Sequence, residues 1–235
     1  KVCPMFARLV SLLVVLLLAL PARSADIEVT ETVPLSLSHS IGWVLKHAKP
    51  ASDALGAWNV TDERWEEAVK ATGEAEKENV TFDLWIPDGI GVAKGIVVVS
   101  GHGSGTEMFK DPTLREIARE LHLALFKFVG NPVQRGFWPK HLLTERLKAY
   151  GAQVGHPELE FAPLFLYGHS NATGFSASFA AREPERVWGW ISMRPGNANQ
   201  ILQPGGAEVP GMIMFGEDDP YFAKDNDQEI QQRRI

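Results

Sequence analysis

The sequence has very little cysteine, and its one cysteine, Cys3, lies close to the N-terminus. A disulfide within the chain is therefore excluded, and stability has to come from a hydrophobic core. The residues for such a core are present, since 45% of the 235 residues are hydrophobic and 22% are charged. These proportions predict an ordinary globular domain rather than a disordered segment.

The sequence also lacks an excess of basic residues. It contains 23 Lys and Arg against 29 Asp and Glu, which gives a formal net charge of −6. No basic patch is visible, so nucleic acid is not an expected partner. No cluster of histidines or carboxylates has the spacing of metal ligands, so the sequence predicts no metal site.

Only one long apolar run occurs, at residues 9–20, and it is too short to span a bilayer comfortably. It follows the basic Arg8 and is followed by the small residues Ala22 and Ser24. This order is typical of a secretory signal peptide. We expect cleavage after Ser24 to remove residues 1–24 and to leave a secreted or periplasmic protein without a stable membrane anchor. The alternative is an uncleaved N-terminal anchor.

Strand and helix patterns alternate from about residue 80 onward. Short apolar segments predict strands at residues 81–86, 95–100, 123–129, 162–166, 187–193 and 211–215. The segment at 95–100 is continuously apolar, as expected for a strand whose two faces are both covered. The alternation predicts an α/β fold, with a doubly wound, mostly parallel sheet and helices on both faces.

Helix signals lie between the predicted strands. Asp111 and Pro112 form a typical helix start, in which the aspartate caps and the proline occupies the first turn. The following turns predict an inner face made of Leu114, Ile117, Ala118 and Leu121. Further helices are predicted at residues 63–72 and 142–150. We expect residues 25–79 to pack on the sheet edge and residues 80–235 to form the α/β domain.

A serine occupies the apex of one strand–helix turn. The apolar run at 162–166 leads into Gly168-His169-Ser170-Asn171-Ala172, and an alanine-rich helical stretch follows. Such a turn needs small residues, because the serine backbone is strained and the chain reverses tightly. The pattern resembles the nucleophile elbow of the α/β-hydrolase superfamily, with Ala172 where a second glycine is usual. The resemblance implies that Ser170 is a nucleophile. The alternative is a serine in an ordinary strand–helix turn.

A glycine-rich loop follows the strand at 95–100. Residues 100–105, Ser-Gly-His-Gly-Ser-Gly, resemble the His-Gly-x-Gly loop of esterases in this superfamily. The resemblance implies an oxyanion hole formed by the backbone amides of Ser104 and Asn171. A phosphate-binding loop is the alternative, but the spacing of the phosphate-binding motifs is absent.

An acidic turn follows the strand at 211–215. The sequence Gly216-Glu217-Asp218-Asp219 resembles the loop in which the superfamily carries the acid of its catalytic triad. The spacing selects Asp219, and Asp218 is the second choice. An acidic, solvated turn is the alternative.

The histidine of such a triad is missing from its expected place. The superfamily order is serine, acid, histidine, and all seven histidines precede Asp219. We therefore expect this chain to be a C-terminally truncated fragment, inactive by itself, with the histidine beyond residue 235. His169 is predicted to be structural, with its side chain directed away from the reacting face. His102 is predicted to be a structural loop residue rather than a base.

The resemblance covers roughly residues 80–220. Within the superfamily the chain is similar to secreted esterases of the polyhydroxybutyrate-depolymerase, feruloyl-esterase and acetyl-xylan-esterase kind. This similarity implies hydrolysis of small-molecule or polymeric carboxylic esters through an acyl-enzyme, with no cofactor. Trp138 and Arg194 are expected near the carboxyl edge of the sheet and are candidate substrate-binding residues. The alternatives are a non-catalytic binding protein on the same fold, or another hydrolase of the superfamily, such as a peptidase or dienelactone hydrolase.

Overall fold

The computed structural model describes residues 25–47, 61–134, 136–137, 139–194 and 208–216. The predicted signal peptide lies outside these ranges, so its cleavage stays a prediction. Trp138 and Asp219 lie outside them as well. Among the described residues, no helix combines the length and the hydrophobicity that crossing a membrane requires.

One mixed sheet contains all the described strands, in the order β1-β2-β4-β3-β5-β6-β7. The first three strands in this order pair antiparallel, and the strands from β4 to β7 pair parallel. Each strand predicted from the sequence is present. The bounds are Ile27–Ser36 (β1), Lys77–Ile86 (β2), Gly95–Ser100 (β3), Leu123–Val129 (β4), Leu164–His169 (β5), Val187–Met193 (β6) and Gly211–Met214 (β7).

Helices connect the strands, and short 3₁₀ turns occur at Leu37–His39, Pro157–Glu160 and Ser170–Ala172. The predicted cap is confirmed, because Asp111 Oδ1 accepts a hydrogen bond of 2.7 Å from the Leu114 amide. The helix bounds are Ile41–His47 (α1), Asp62–Thr72 (α2), Gly105–Lys110 (α3), Pro112–Leu121 (α4), His141–Val154 (α5) and Thr173–Arg182 (α6).

The core consists of two apolar layers, one on each face of the sheet. The larger layer lies between the sheet and helices α5 and α6, and its largest side chains include Phe82, Phe126, Phe128, Leu143, Phe175 and Phe179. The smaller layer lies under helices α3 and α4 and includes Trp85, Val97, Val99, Phe109, Ala118, Leu125 and Tyr167. Helices therefore cover both faces, and the predicted fold class is confirmed.

Helix α4 buries a narrower stripe than its sequence pattern predicts. Ala118 is fully buried and Leu114 packs against the smaller layer. Ile117 and Leu121, however, are 45% and 54% exposed, so their prediction as inner-face residues is wrong. Only the row that contains Leu114 and Ala118 packs against the smaller layer, so the neighbouring row that contains Ile117 and Leu121 faces solvent.

The edge strand β1 was not predicted from the sequence. It pairs along its whole length with β2, from Ile27 opposite Ile86 to Ser36 opposite Lys77. Part of the N-terminal segment is therefore a strand of the sheet itself. The remaining strands from β3 to β7 run parallel, so their carboxyl ends meet at one edge, where the candidate site lies.

Candidate active site

Ser170 has a left-handed backbone, with φ of 55°. Strand β5 ends at the preceding residue, His169, and the 3₁₀ turn Ser170–Ala172 leads directly into α6. A non-glycine residue in this region costs about 1–3 kcal/mol and persists only where its surroundings impose it. The structure thus has the sharp strand–turn–helix geometry that the sequence predicts for an elbow.

The neighbours of Ser170 are small because the chain folds back on itself. A Cβ atom on Gly168 would lie 2.2 Å from the Ala172 carbonyl oxygen and 2.9 Å from Ser176 Oγ. Only glycine can therefore occupy position 168. Ala172 is fully buried, and its methyl group is accommodated where the superfamily pattern has glycine.

Short hydrogen bonds fix the turn to the helix and to the next strand. Thr173 Oγ1 donates to the Ser170 carbonyl oxygen at 2.6 Å. Ser176 Oγ in α6 and Ser192 Oγ in β6 lie 2.9 Å apart in a buried hydrogen bond. Asn171 is exposed in the first turn after the strand, where helix amides have no carbonyl partner within the helix. Its role as an oxyanion donor stays a prediction that this position supports.

The glycine-rich loop after β3 is a tight turn that leads into α3. The Gly101 amide donates to the Phe128 carbonyl at 2.8 Å, and Thr106 Oγ1 donates to the Gly101 carbonyl at 3.1 Å. A Cβ atom on Gly105 would lie 1.6 Å from the Ser100 carbonyl oxygen. The glycine at position 105 is therefore required by a close backbone approach.

The glycine-rich loop contacts the elbow through His169. Gly103 has φ of 60°, and a Cβ atom there would lie 2.6 Å from the His169 ring. The Ser104 amide donates to His169 Nδ1 at 3.0 Å, and Ser104 Oγ lies 2.9 Å from the same nitrogen. Ser104 Oγ is also 2.5 Å from Tyr167 Oη. The fold thus brings together the two predicted motifs.

This contact bears on two predicted roles. The Ser104 amide has His169 as its partner, so its predicted role as an oxyanion donor requires it to exchange His169 for the substrate. The His169 side chain contacts this loop, so the prediction that it is directed away from the reacting face is wrong, because the loop that follows β3 folds over the end of β5. Burial lowers the pKa of His169 below the usual histidine value, and repulsion from Arg194 and His102 lowers it further. The ring is therefore neutral at neutral pH.

A cavity of about 270 Å³ opens beside the glycine-rich loop, at the carboxyl ends of β3 and β4. Two hydrogen-bonded pairs line it: Gln134 Nε2 lies 2.8 Å from His102 Nδ1, and Asn131 Nδ2 donates to Glu78 Oε2 at 2.9 Å. Sequence reasoning did not find this cavity. The only available signal was the polar Gly130-Asn131 turn directly after a buried strand. The remaining lining residues are Asn79, Ser100, Gly101, Val129 and Gly130.

Arg194 lies where the sequence predicts, immediately after β6 at the same edge of the sheet. It is exposed, its φ is 51°, and its amide donates to the Met214 carbonyl at 2.6 Å. Its role in substrate binding stays a prediction, and so do the roles of Trp138 and Asp219. Within the described ranges, no group of three or more metal-ligating side chains could hold a metal ion.

Comparison with known proteins gives similarity at the level of structure only. No protein-family model matches the chain, and no curated protein sequence matches it. Several solved structures are similar. A thermostable esterase is 12% identical, with a TM-score of 0.48 over 66% of this chain and 48% of that chain. The present chain therefore spans about half the length of that esterase.

Two further structures are hydrolases. The Staphylococcus aureus fluorophosphonate-binding serine hydrolase FphF is 12% identical, with a TM-score of 0.48 over 90% of this chain and 88% of that chain. A cold-adapted esterase from an Arctic intertidal metagenomic library is 13% identical, with a TM-score of 0.40 over 66% of this chain and 73% of that chain.

Proposed function

We propose that the protein is a serine hydrolase that cleaves carboxylic esters, with Ser170 as its nucleophile. The observation that carries this proposal is the left-handed backbone of Ser170 at the junction of β5 and α6. Glycine would adopt this conformation without strain. A serine held there at a cost of about 1–3 kcal/mol calls for a reason beyond folding, and an exposed, reactive hydroxyl supplies one.

The proposed reaction is an acyl transfer in two steps. Ser170 Oγ attacks the ester carbonyl carbon while its proton passes to a base. The base then donates this proton to the leaving oxygen as the tetrahedral intermediate collapses, which releases the alcohol and leaves the acyl-enzyme. Water then attacks the acyl-enzyme, which releases the acid and restores the serine hydroxyl. Asn171 is the proposed oxyanion donor, because its amide lies at the start of the turn that follows the nucleophile. Asp219 is the proposed acid of the triad.

The base is not assigned to a described residue. The Nδ1 atom of His169 accepts from Ser104, His102 contacts Gln134, and the His156 ring lies 2.8 Å from Glu158. None of these contacts involves Ser170.

The cavity beside the glycine-rich loop supports a substrate with a polar portion. Its lining includes a carboxylate, three side-chain amides and an imidazole, so it offers hydrogen-bond donors and acceptors rather than an apolar channel. We propose that a hydrogen-bonding part of a small-molecule or polymeric ester binds there, while the ester carbonyl lies at Ser170.

A fluorophosphonate probe tests the nucleophile directly, because it forms a covalent bond with activated serines. In the full-length protein we expect intact-mass analysis to show one adduct, peptide mapping to place it on Ser170, and Ser170→Ala to remove it together with p-nitrophenyl acetate hydrolysis. Ser40→Ala, which changes a serine beyond the edge strand, is the matched control and should keep both. Turnover that survives Ser170→Ala would rule out this nucleophile. A properly folded full-length protein with neither labelling nor turnover would favour the binding-protein alternative.

A further inference from the structure

The contact between His169 and Ser104 can exist in two hydrogen-bonding states. An amide N–H can only donate, so the 3.0 Å bond from Ser104 requires an unprotonated Nδ1 on His169. The proton of the neutral ring then lies on Nε2. Ser104 Oγ, which can accept as well as donate, lies 2.9 Å from the same Nδ1. The two atoms of Ser104 therefore offer His169 one partner for its neutral form and another for its protonated form.

We propose that His169 is a positioning residue that holds the glycine-rich loop against the elbow through the Ser104 amide until substrate binds, and that protonation of Nδ1 switches this contact off. A protonated Nδ1 would donate to Ser104 Oγ, and the amide N–H would then face another donor. Both Ser104 atoms already lie within hydrogen-bonding distance, so the ring need not move for the partner to change.

The residues around His169 link a change of its hydrogen-bond partner to the position of the glycine-rich loop. Ser104 Oγ is 2.5 Å from Tyr167 Oη, and Tyr167 Oη donates to Met193 Sδ at 3.2 Å. These two hydrogen bonds connect Ser104 to β6. The His169 ring also lies against Gly103, where even one additional carbon would clash. A shift of Ser104 therefore moves the part of the loop that faces the elbow.

The charged and titratable groups around His169 favour the neutral form. Arg194, which follows β6, and His102, which follows β3, both repel a proton on the ring, and burial acts in the same direction. Tyr167, on the same strand as His169, is connected to it through Ser104. The arrangement held by the Ser104 amide is therefore the one present at neutral pH, and it is lost on the acidic side of the usual histidine pKa.

Two substitutions of His169 separate the hydrogen bond from the titration, and one of Tyr167 serves as a control. His169→Asn keeps an acceptor oxygen close to the position of Nδ1 but cannot titrate, whereas His169→Leu removes the acceptor. Tyr167→Phe keeps the hydrogen bond from the Ser104 amide to His169 and removes only the hydroxyl group of Tyr167. The Asn and Phe variants keep the test decisive if the Leu variant does not fold, which thermal melts will show.

Solution NMR measures the contact without any assumption about activity. In the wild type we expect the Ser104 amide resonance to shift during an acid titration with the same midpoint as the His169 ring, below pH 6.5. In His169→Asn that shift should vanish, while the Gly103 and Ser104 resonances stay near their neutral-pH wild-type positions. A Ser104 amide that ignores the His169 titration, or that titrates equally in the Asn variant, would overturn the proposal.

The catalytic consequence rests on the proposed function, so it is measured separately, in the full-length protein. His169→Leu should lower kcat roughly ten- to a hundredfold with little change in KM, because a misplaced loop weakens the transition state more than substrate binding. His169→Asn should restore most of kcat and lose the acid-side decline that is due to His169. If His169→Asn loses the Ser104 amide titration but no protein, wild type or variant, hydrolyses esters, the hydrogen-bond switch would be supported and the proposed function rejected. Equal kcat in the Leu and wild-type proteins would reject the positioning role.

Discussion

Gly168 and Ala172 are in such close contact that a Cβ atom at position 168 would lie 2.2 Å from the Ala172 carbonyl oxygen. This approach allows the chain to reverse around Ser170 and to give it a φ of 55°. The glycine therefore determines the position of the serine hydroxyl, although it contributes no side chain to the site.

Gly168→Ala should destabilise the protein and disrupt the elbow together. Because the added methyl group meets backbone rather than a movable side chain, we expect the free energy of unfolding to fall by about 3 kcal/mol. Urea denaturation measures this change. Gly91→Ala is the matched control, since no atom lies within 4 Å of its Cβ position and a change within about 0.5 kcal/mol is expected there. Equal stability of the two variants would show that the elbow backbone adjusts easily.

The strands of the sheet interior could be predicted closely from the sequence, and the edge strand could not. Strand β3 runs from Gly95 to Ser100, as its continuous apolar run predicts, because both of its faces are covered. In β1, the exposed Glu31 interrupts the alternation of apolar residues, and Pro34 argues against a strand. An edge strand tolerates Pro34, since one of its sides makes no ladder hydrogen bonds, and the Glu31 carboxylate accepts a hydrogen bond from Tyr150.

Each motif of the candidate site could be predicted from the sequence, but the contacts between the motifs could not. The small residues around Ser170 predicted the elbow because backbone geometry demands them locally. The bond from Ser104 to His169 joins residues 65 positions apart and depends on how β3 and β5 pair, which no local pattern specifies. The cavity depends in the same way on loops that follow two different strands.

The cavity makes a prediction about substrate preference. Gln134→Leu removes a polar group from its lining, and we expect KM for a hydroxylated ester such as glyceryl monoacetate to rise about fivefold, as the loss of one neutral hydrogen bond would give. Ethyl acetate, which has no hydroxyl group on its alcohol portion, should show little change in the same variant. A parallel increase for both esters would instead indicate that the substitution disturbs His102 and the glycine-rich loop as a whole.

An interstrand ion pair beneath α3 should matter for stability. Lys127 Nζ lies 2.8 Å from Asp83 Oδ2, both side chains are largely buried, and the ammonium lies over the Phe109 ring at 5.1 Å. Lys127→Met should lower the free energy of unfolding by about 3 kcal/mol, because it leaves a buried carboxylate without its partner.

The double variant Lys127→Met/Asp83→Leu tests the reason for that loss. It should recover to within about 1 kcal/mol of the wild type, because a buried ion pair and an apolar pair of similar size have similar stability. Lys77→Met is the exposed control, since the side chains of the Lys77–Glu74 pair are 58% and 66% exposed, and it should change stability by less than about 0.5 kcal/mol. A double variant as unstable as the single one would show that packing, not charge, is responsible.

Tyr150 should make the stability depend on pH at the alkaline end. Burial raises the pKa of Tyr150, and its 2.9 Å hydrogen bond to the Glu31 carboxylate raises it further. Above about pH 10 the unfolded chain loses this proton while the folded protein keeps it, so stability present below pH 10 declines as the pH rises. Urea denaturation between pH 8 and 11 should show this decline in the wild type, approaching about 1.4 kcal/mol per pH unit, and a shallower one in Tyr150→Phe. Parallel slopes in the two proteins would assign the alkaline loss to other groups.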